Sequence, residues 1–236
     1  MSHDLSQDSI GDDHGRNGQL LYPLDPNWTL RRPGDIEAVR VYRAGTALKI
    51  ELRMHDVLAT WNPPNGFDHV AFTVFIRLPD PCAAQGRLQA DAGAPANAAS
   101  PPLRAEAAPG CRAEAAVMPA QNGSLPDGMR WHYRIRANGW TNGLFSAQGA
   151  SASSEGTLVT PTANVSSDST ARTVTLTIPG ASLGKPASLS GARLYINTWD
   201  YDGGYRPLLA RPEPFAMGGS PGGPKVMDDS AVITLP

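Results

Sequence analysis

Apolar and polar residues alternate with period two in several separate stretches of this 236-residue chain. In Leu48-Lys-Ile-Glu-Leu-Arg-Met54 the apolar side chains fall on one side and the charges on the other. Val70, Phe72, Val74, Ile76 and Leu78 share one face of the run His69–Leu78. Trp131, Tyr133 and Ile135 oppose His132 and Arg134, and Val174, Leu176 and Ile178 alternate with threonines. In Arg193–Asp200, Leu194 and Ile196 point one way and Tyr195, Asn197 and Trp199 the other. Weaker runs of the same kind lie at Ile36–Arg43 and Ala231–Leu235. Such alternation predicts half-buried strands, because successive side chains of a strand leave opposite faces.

No window carries a capped helical stripe, and 24 Gly and 22 Pro make turns dense. Strands with one polar face build antiparallel sheets, and their apolar faces must meet. The predicted fold class is therefore all-β: an antiparallel β-sandwich, jelly-roll or immunoglobulin-like, with long irregular loops. One domain is expected over residues 1–236, with an irregular insertion at about 80–119 and a second irregular excursion over Ala147–Ser169. A chain of this length buries a sizeable core without metal or disulfide support.

The formal net charge is −2 and no Lys/Arg cluster is present, which argues against a nucleic-acid partner. No apolar stretch approaches the roughly 18 residues of a membrane span. The polar start Met1-Ser-His-Asp-Leu5 lacks the apolar centre of a signal peptide, and the expectation is that an export signal has been removed. Cys82 and Cys111 bracket a segment rich in Ala, Pro and Gly. A disulfide there would close an otherwise loose loop, stabilising by roughly 3–4 kcal/mol, and would place the protein in an oxidising compartment, secreted or periplasmic.

Two catalytic lookalikes fail on context. Gly180-Ala-Ser-Leu-Gly184 fits G-x-S-x-G, but Lys185-Pro186 follows where a nucleophile elbow needs a helix. Gly218-Gly-Ser-Pro-Gly-Gly-Pro-Lys225 lacks the spacing of a phosphate loop. His3, His14, His55, His69 and His132 show no metal-ligand spacing.

Asp8-Ser-Ile-Gly-Asp-Asp-His-Gly-Arg-Asn-Gly18 packs Asp8, Asp12 and Asp13 into a Gly-rich loop. Carboxylate oxygens on a tight path suit a hard cation such as Ca²⁺. A solvated acidic terminus fits the same composition. The regular ligand alternation of an EF-hand is absent here and in Asp200-Tyr-Asp-Gly-Gly204.

Four segments together resemble one family. The acidic loop with Tyr22-Pro23 is similar to its D-P-x-G-D-D-x-G…Y-P opening, and Gly34-Asp-Ile36 to its G-D-[LI] step. Trp61-Asn-Pro-Pro-Asn-Gly-Phe67 resembles its P-W-x-x-P-N-G-F turn. Asn197-Thr-Trp-Asp-Tyr-Asp-Gly-Gly-Tyr-Arg206, with Met217-Gly-Gly219 and Asp228, resembles its closing region. The family is the glucodextranase C-terminal-like domain, grouped with the DOMON and family 9 carbohydrate-binding sandwiches. Ser9 stands where the family has Pro, Gly204 and Tyr205 are inverted, and the middle, about Cys82–Ser169, does not match clearly.

The resemblance implies a noncatalytic, calcium-stabilised module that binds a poly- or oligosaccharide and accompanies a glycoside hydrolase in the same chain or operon. Asp8, Asp12 and Asp13 fall on the family's acidic loop and Asp35 on its G-D-[LI] step, which makes these four the expected Ca²⁺ ligands. Sugars stack on flat aromatic faces with polar groups at the rim. Trp199, Tyr201 and Trp61 are the expected carbohydrate-binding residues, whereas Trp131, on the apolar side of its strand, is expected in the core. Two alternatives stay open. One is a haem-binding, DOMON-type electron-transfer module using Met54, His55, His69 or Met217. The other is a structural or protein-interaction domain beside a secreted enzyme.

Overall fold

The computed structural model describes residues 3–79, 111–199 and 208–236. Its strands are β1 (His3–Gln7), β2 (Ile36–Ala44), β3 (Ala47–Met54), β4 (Ala71–Arg77), β5 (Tyr133–Ala137) and β6 (Asn142–Ser146). They continue with β7 (Thr157–Val159), β8 (Asn164–Asp168), β9 (Thr173–Ile178), β10 (Arg193–Trp199), β11 (Val226–Asp229) and β12 (Ile233–Thr234). One sheet has the order β1-β2-β3-β9-β8. The other runs β11-β10-β4-β5-β6-β7, with β12 also paired to β10. Every strand pair is antiparallel. The all-β sandwich expected from alternation is the observed fold.

The alternation decides which faces meet. Register pairs Val41 with Ile50 and Ile50 with Leu176 in the first sheet, and Ile196 with Val74 and Val74 with Ile135 in the second. These side chains join in one buried cluster between the sheets. Burying a large aliphatic side chain contributes about 1.5–3 kcal/mol, so this layer dominates the stability.

The outer face of the second sheet is also covered. Phe75 stacks on Tyr195 at 6.0 Å, Trp131 lies 5.9 Å from Phe75, and Ala115, Met118, Leu125 and Met129 close over them. Polar positions on this face bond within the protein: Gln121 donates to Thr73 Oγ1 at 3.1 Å and to Asn197 Oδ1 at 2.9 Å. Trp199 is likewise fully buried, its indole donating to Thr73 Oγ1 at 3.1 Å. Its expected role as an exposed sugar platform is therefore corrected. Alternation placed it on the right side of the sheet, but protein rather than solvent covers that side.

Other details differ. Trp131 is buried as expected, but on the outer face, because the chain bends at His132 before β5 begins. The stretch 147–169 contains β7 and β8, whose Ser- and Thr-rich residues pair as edge strands. Ser182, in a short 3₁₀ turn after β9, is buried and donates to Pro161 O at 2.7 Å, which commits the hydroxyl of the G-x-S-x-G match. One helical turn, α1 (Pro26–Thr29), is capped by Asp25 and buries Trp28. No helix among the described residues is long and apolar enough to cross a membrane. Cys82 and Tyr201 lie outside the described residues, and so does most of the expected insertion.

Candidate functional site

The acidic loop leaves β1 at Asp8 and turns back through Gly11 and Gly15, both with positive φ. Gly15 N donates to Met227 O at 2.7 Å, which docks the loop beside β11. Asp8, Asp12 and Asp228 thereby converge, with one carboxylate oxygen of each within 4.8 Å of the others. Asp8 Oδ2 is buried and has no hydrogen-bond partner among the described residues. Asp228 accepts from Ile36 N at 2.6 Å and Asp229 N at 2.7 Å.

The expected ligands divide here. Asp8 and Asp12 are brought together, and Asp228, distant in sequence, joins them. Asp13 and Asp35, both fully buried, instead flank the guanidinium of Arg32, which lies 3.1 Å from Asp35 Oδ2 and is hydrogen-bonded to Asp13. Asp13 also accepts from Tyr22 Oη, and Asp35 from Gly11 N at 3.1 Å. Arg32 holds a left-handed φ of 46° in making this bridge. Gly34 is needed alongside, since a Cβ there would come within 2.5 Å of Met227 Cε and 2.9 Å of Tyr22 Oη. The G-D-[LI] step is thus a packed ion-pair joint in this structure.

Burial pushes the Asp8 carboxyl up to about 6, opposed by the Ser9 amide and reinforced by Asp12, Asp229 and Asp35. Burial, with Asp8 and Asp12 nearby, pushes Asp228 up to about 8 despite the Ile36 amide. Such groups retain protons in the folded state that the unfolded chain releases above about pH 3.8. Cation-free protein should therefore lose stability as pH rises from about 4 to about 8. A cation held by these carboxylates would remove that decline by keeping them ionised. Melting curves across this range, with calcium and with EDTA, check both statements.

A second feature lies on the surface above Trp28. His69, at φ 68°, places its ring against two indoles that also meet each other edge to face. Trp61 stacks on it at 4.1 Å with planes 10° apart, and Trp28 lies on it at 4.3 Å. Asp68 fixes the assembly, bonding His69 Nδ1 with one oxygen and accepting Trp61 N with the other at 2.7 Å. Trp140 lies 6.0 Å from Trp61 with planes 33° apart. Its turn is tied to the Trp61 turn by Asn65 Nδ2, which donates to Asn138 O at 2.6 Å, and Asn65 N, which donates to Gly139 O at 2.9 Å. Gly139 permits that approach, because a Cβ there would sit 2.2 Å from Phe67 O.

Trp61 is 48% exposed, Trp140 42% and Phe215 55%, so the rings form an apolar surface fixed from beneath. Of the three expected carbohydrate-binding residues, Trp61 is exposed, Trp199 is core and Tyr201 is outside the described residues. Trp140 was not anticipated. The signal for it is the Asn138-Gly139 pair, which marks a turn and sets the following indole at its tip. The residues considered for haem have other structural roles. Met54 belongs to the inter-sheet core, Met217 packs with Trp28 and Leu208, and His69 is bound to Asp68.

The family model of the C-terminal binding module, SLH-like, of glucodextranase matches residues 5–101 and 111–234. A comparison with curated proteins finds no match.

Proposed function

Because the chain belongs to the family of the glucodextranase C-terminal binding module, we propose that it is a noncatalytic carbohydrate-binding module stabilised by calcium. It takes a poly- or oligosaccharide on the Trp61–Trp140 surface, outside the cytoplasm, secreted or periplasmic, and beside a glycoside hydrolase. The single observation carrying this reading is the pair of half-exposed indoles on a hydrogen-bonded support. Pyranose rings bind indole faces through their CH groups, and rings already fixed lose little freedom on binding. Proteins of this kind need no reacting group. Their affinity comes from shape, stacking and peripheral hydrogen bonds.

Calcium fits the acidic cluster on donor chemistry. Asp8, Asp12 and Asp228 offer hard oxygen ligands, and the orphaned Asp8 Oδ2 is the kind of buried acceptor a cation satisfies. The ion would supply positive charge that offsets mutual repulsion and fastens the loop to β11. The Cys82–Cys111 disulfide belongs to the same extracytoplasmic reading.

A glycan array probed with calcium-loaded protein tests the function. Retention of neutral poly- or oligosaccharides, without release of new reducing ends, supports it. Binding to no glycan, or hydrolysis of one, overturns it.

A further inference from the structure

On the far side of the acidic loop, toward the Gly- and Pro-rich stretch 218–225, lies a cavity of about 300 Å³. Its described lining shares no residue with the Trp61 surface. We propose that it is a second saccharide subsite, taking one neutral pyranose unit; this rests on the carbohydrate-binding function proposed above.

The chemistry of the walls selects the ligand. Asn17, Gln19, Ser124 and Ser220 supply uncharged amides and hydroxyls, while Leu20, Leu208 and Val226 supply an apolar side. Arg16 is the charged group among the described lining residues, and its charge is already balanced. Asp229 Oδ2 accepts from its Nε at 3.0 Å and from its Nη2 at 2.7 Å, and Tyr195 Oη lies 3.1 Å from Nη2. A free anion would compete with Asp229, and a free cation would meet the guanidinium. A neutral ring with hydroxyls at its edge and CH groups on its face matches both kinds of wall.

Size and rigidity agree with a single unit. The volume is at the small end of ligand pockets, about 300–1,000 Å³. The loop is fastened on this side by Gly15 N on Met227 O at 2.7 Å and Leu20 N on His14 O at 2.9 Å. At Gly15 a Cβ would come within 3.2 Å of Leu20 Cγ and Val226 O, so glycine keeps the wall in place. The Trp61 surface suits the flank of a chain, and this cavity suits a chain end or a branch.

Saturation-transfer NMR on calcium-loaded protein tests the assignment, with D-glucose, D-galactose and D-mannose as neutral probes and glucosamine and glucuronate as charged ones. At least one neutral hexose should receive saturation, several-fold more than either charged sugar. The probes are read in a Trp61→Ala background, where the exposed indole surface is removed and the cavity supplies that signal. Ser124→Trp, which fills the cavity, should abolish it, and Asn17→Ala with Gln19→Ala, at exposed positions, should cut it several-fold even if Ser124→Trp misfolds. No hexose signal in that background, equal signals from charged sugars, or survival of the signal in the cavity variants overturns the subsite. Polysaccharide retention that depends on Trp61 would still leave the proposed function standing.

Discussion

Trp199→Ala should lower the melting temperature by roughly 10 °C or more, since emptying a buried Trp site costs about 3–5 kcal/mol. Trp199 is fully buried at the end of β10 and its indole donates to Thr73 Oγ1 at 3.1 Å, on the face closed by Gln121 and its neighbours. Truncation would leave a cavity and also remove the donor to that hydroxyl. Glycan affinity per folded molecule should stay as in the wild type, because the Trp61 turn is anchored through Asp68 and Asn65. Differential scanning calorimetry paired with affinity electrophoresis reads both quantities. An unchanged melt with lost glycan retention would return Trp199 to the ligand face.

The second large effect is expected at Arg32. Its guanidinium serves Asp13 and Asp35 together, and both carboxylates are fully buried. Arg32→Ala would strand two buried charges, and breaking a buried pair by removing one partner costs about 3–5 kcal/mol. Arg32→Lys should recover part of this, because an ammonium keeps the charge but not the fork that reaches both partners. The gap to wild type should narrow as pH falls, because burial already shifts the Asp35 carboxyl upward and protonation removes its stranded charge. Melting curves in saturating calcium decide the matter. An Arg32→Ala melt matching the wild type would free Asp13 and Asp35 from the joint and reinstate them as cation ligands.

The inner faces of the sandwich were legible because alternation is a local property. Val70, Phe72, Val74, Ile76 and Leu78 could be assigned to one side without knowing their partners, and all five lie in the inter-sheet core. What covers the opposite side is not local. Residues 111–131 have no periodicity, yet they place Met118, Leu125 and Gln121 over Phe75, Tyr195 and Asn197. That lid is why Trp199 could be placed on the correct face and still be misread as exposed. The acidic loop shows the same limit. Clustering made Asp8 and Asp12 candidates, but their third partner, Asp228, comes from β11, paired to Thr198 in the other sheet. Asp13 looks equivalent to Asp12 in sequence. Only the left-handed turn at Arg32 sends a cation to the one and not the other.

The most direct test of carbohydrate binding is calorimetric titration of Trp61→Ala, and of Trp61→Ala with Trp140→Ala, using the glycan the wild type retains best. Stacking contributes about 0.5–1.5 kcal/mol per ring by analogy with aromatic pairs, so each loss should weaken binding roughly three- to tenfold. Both rings are nearly half exposed, and the melting temperatures should stay within roughly 5 °C of wild type. Weakened binding in a folded double variant is the expected result. Wild-type affinity in that variant would contradict the assignment of the sugar to this surface.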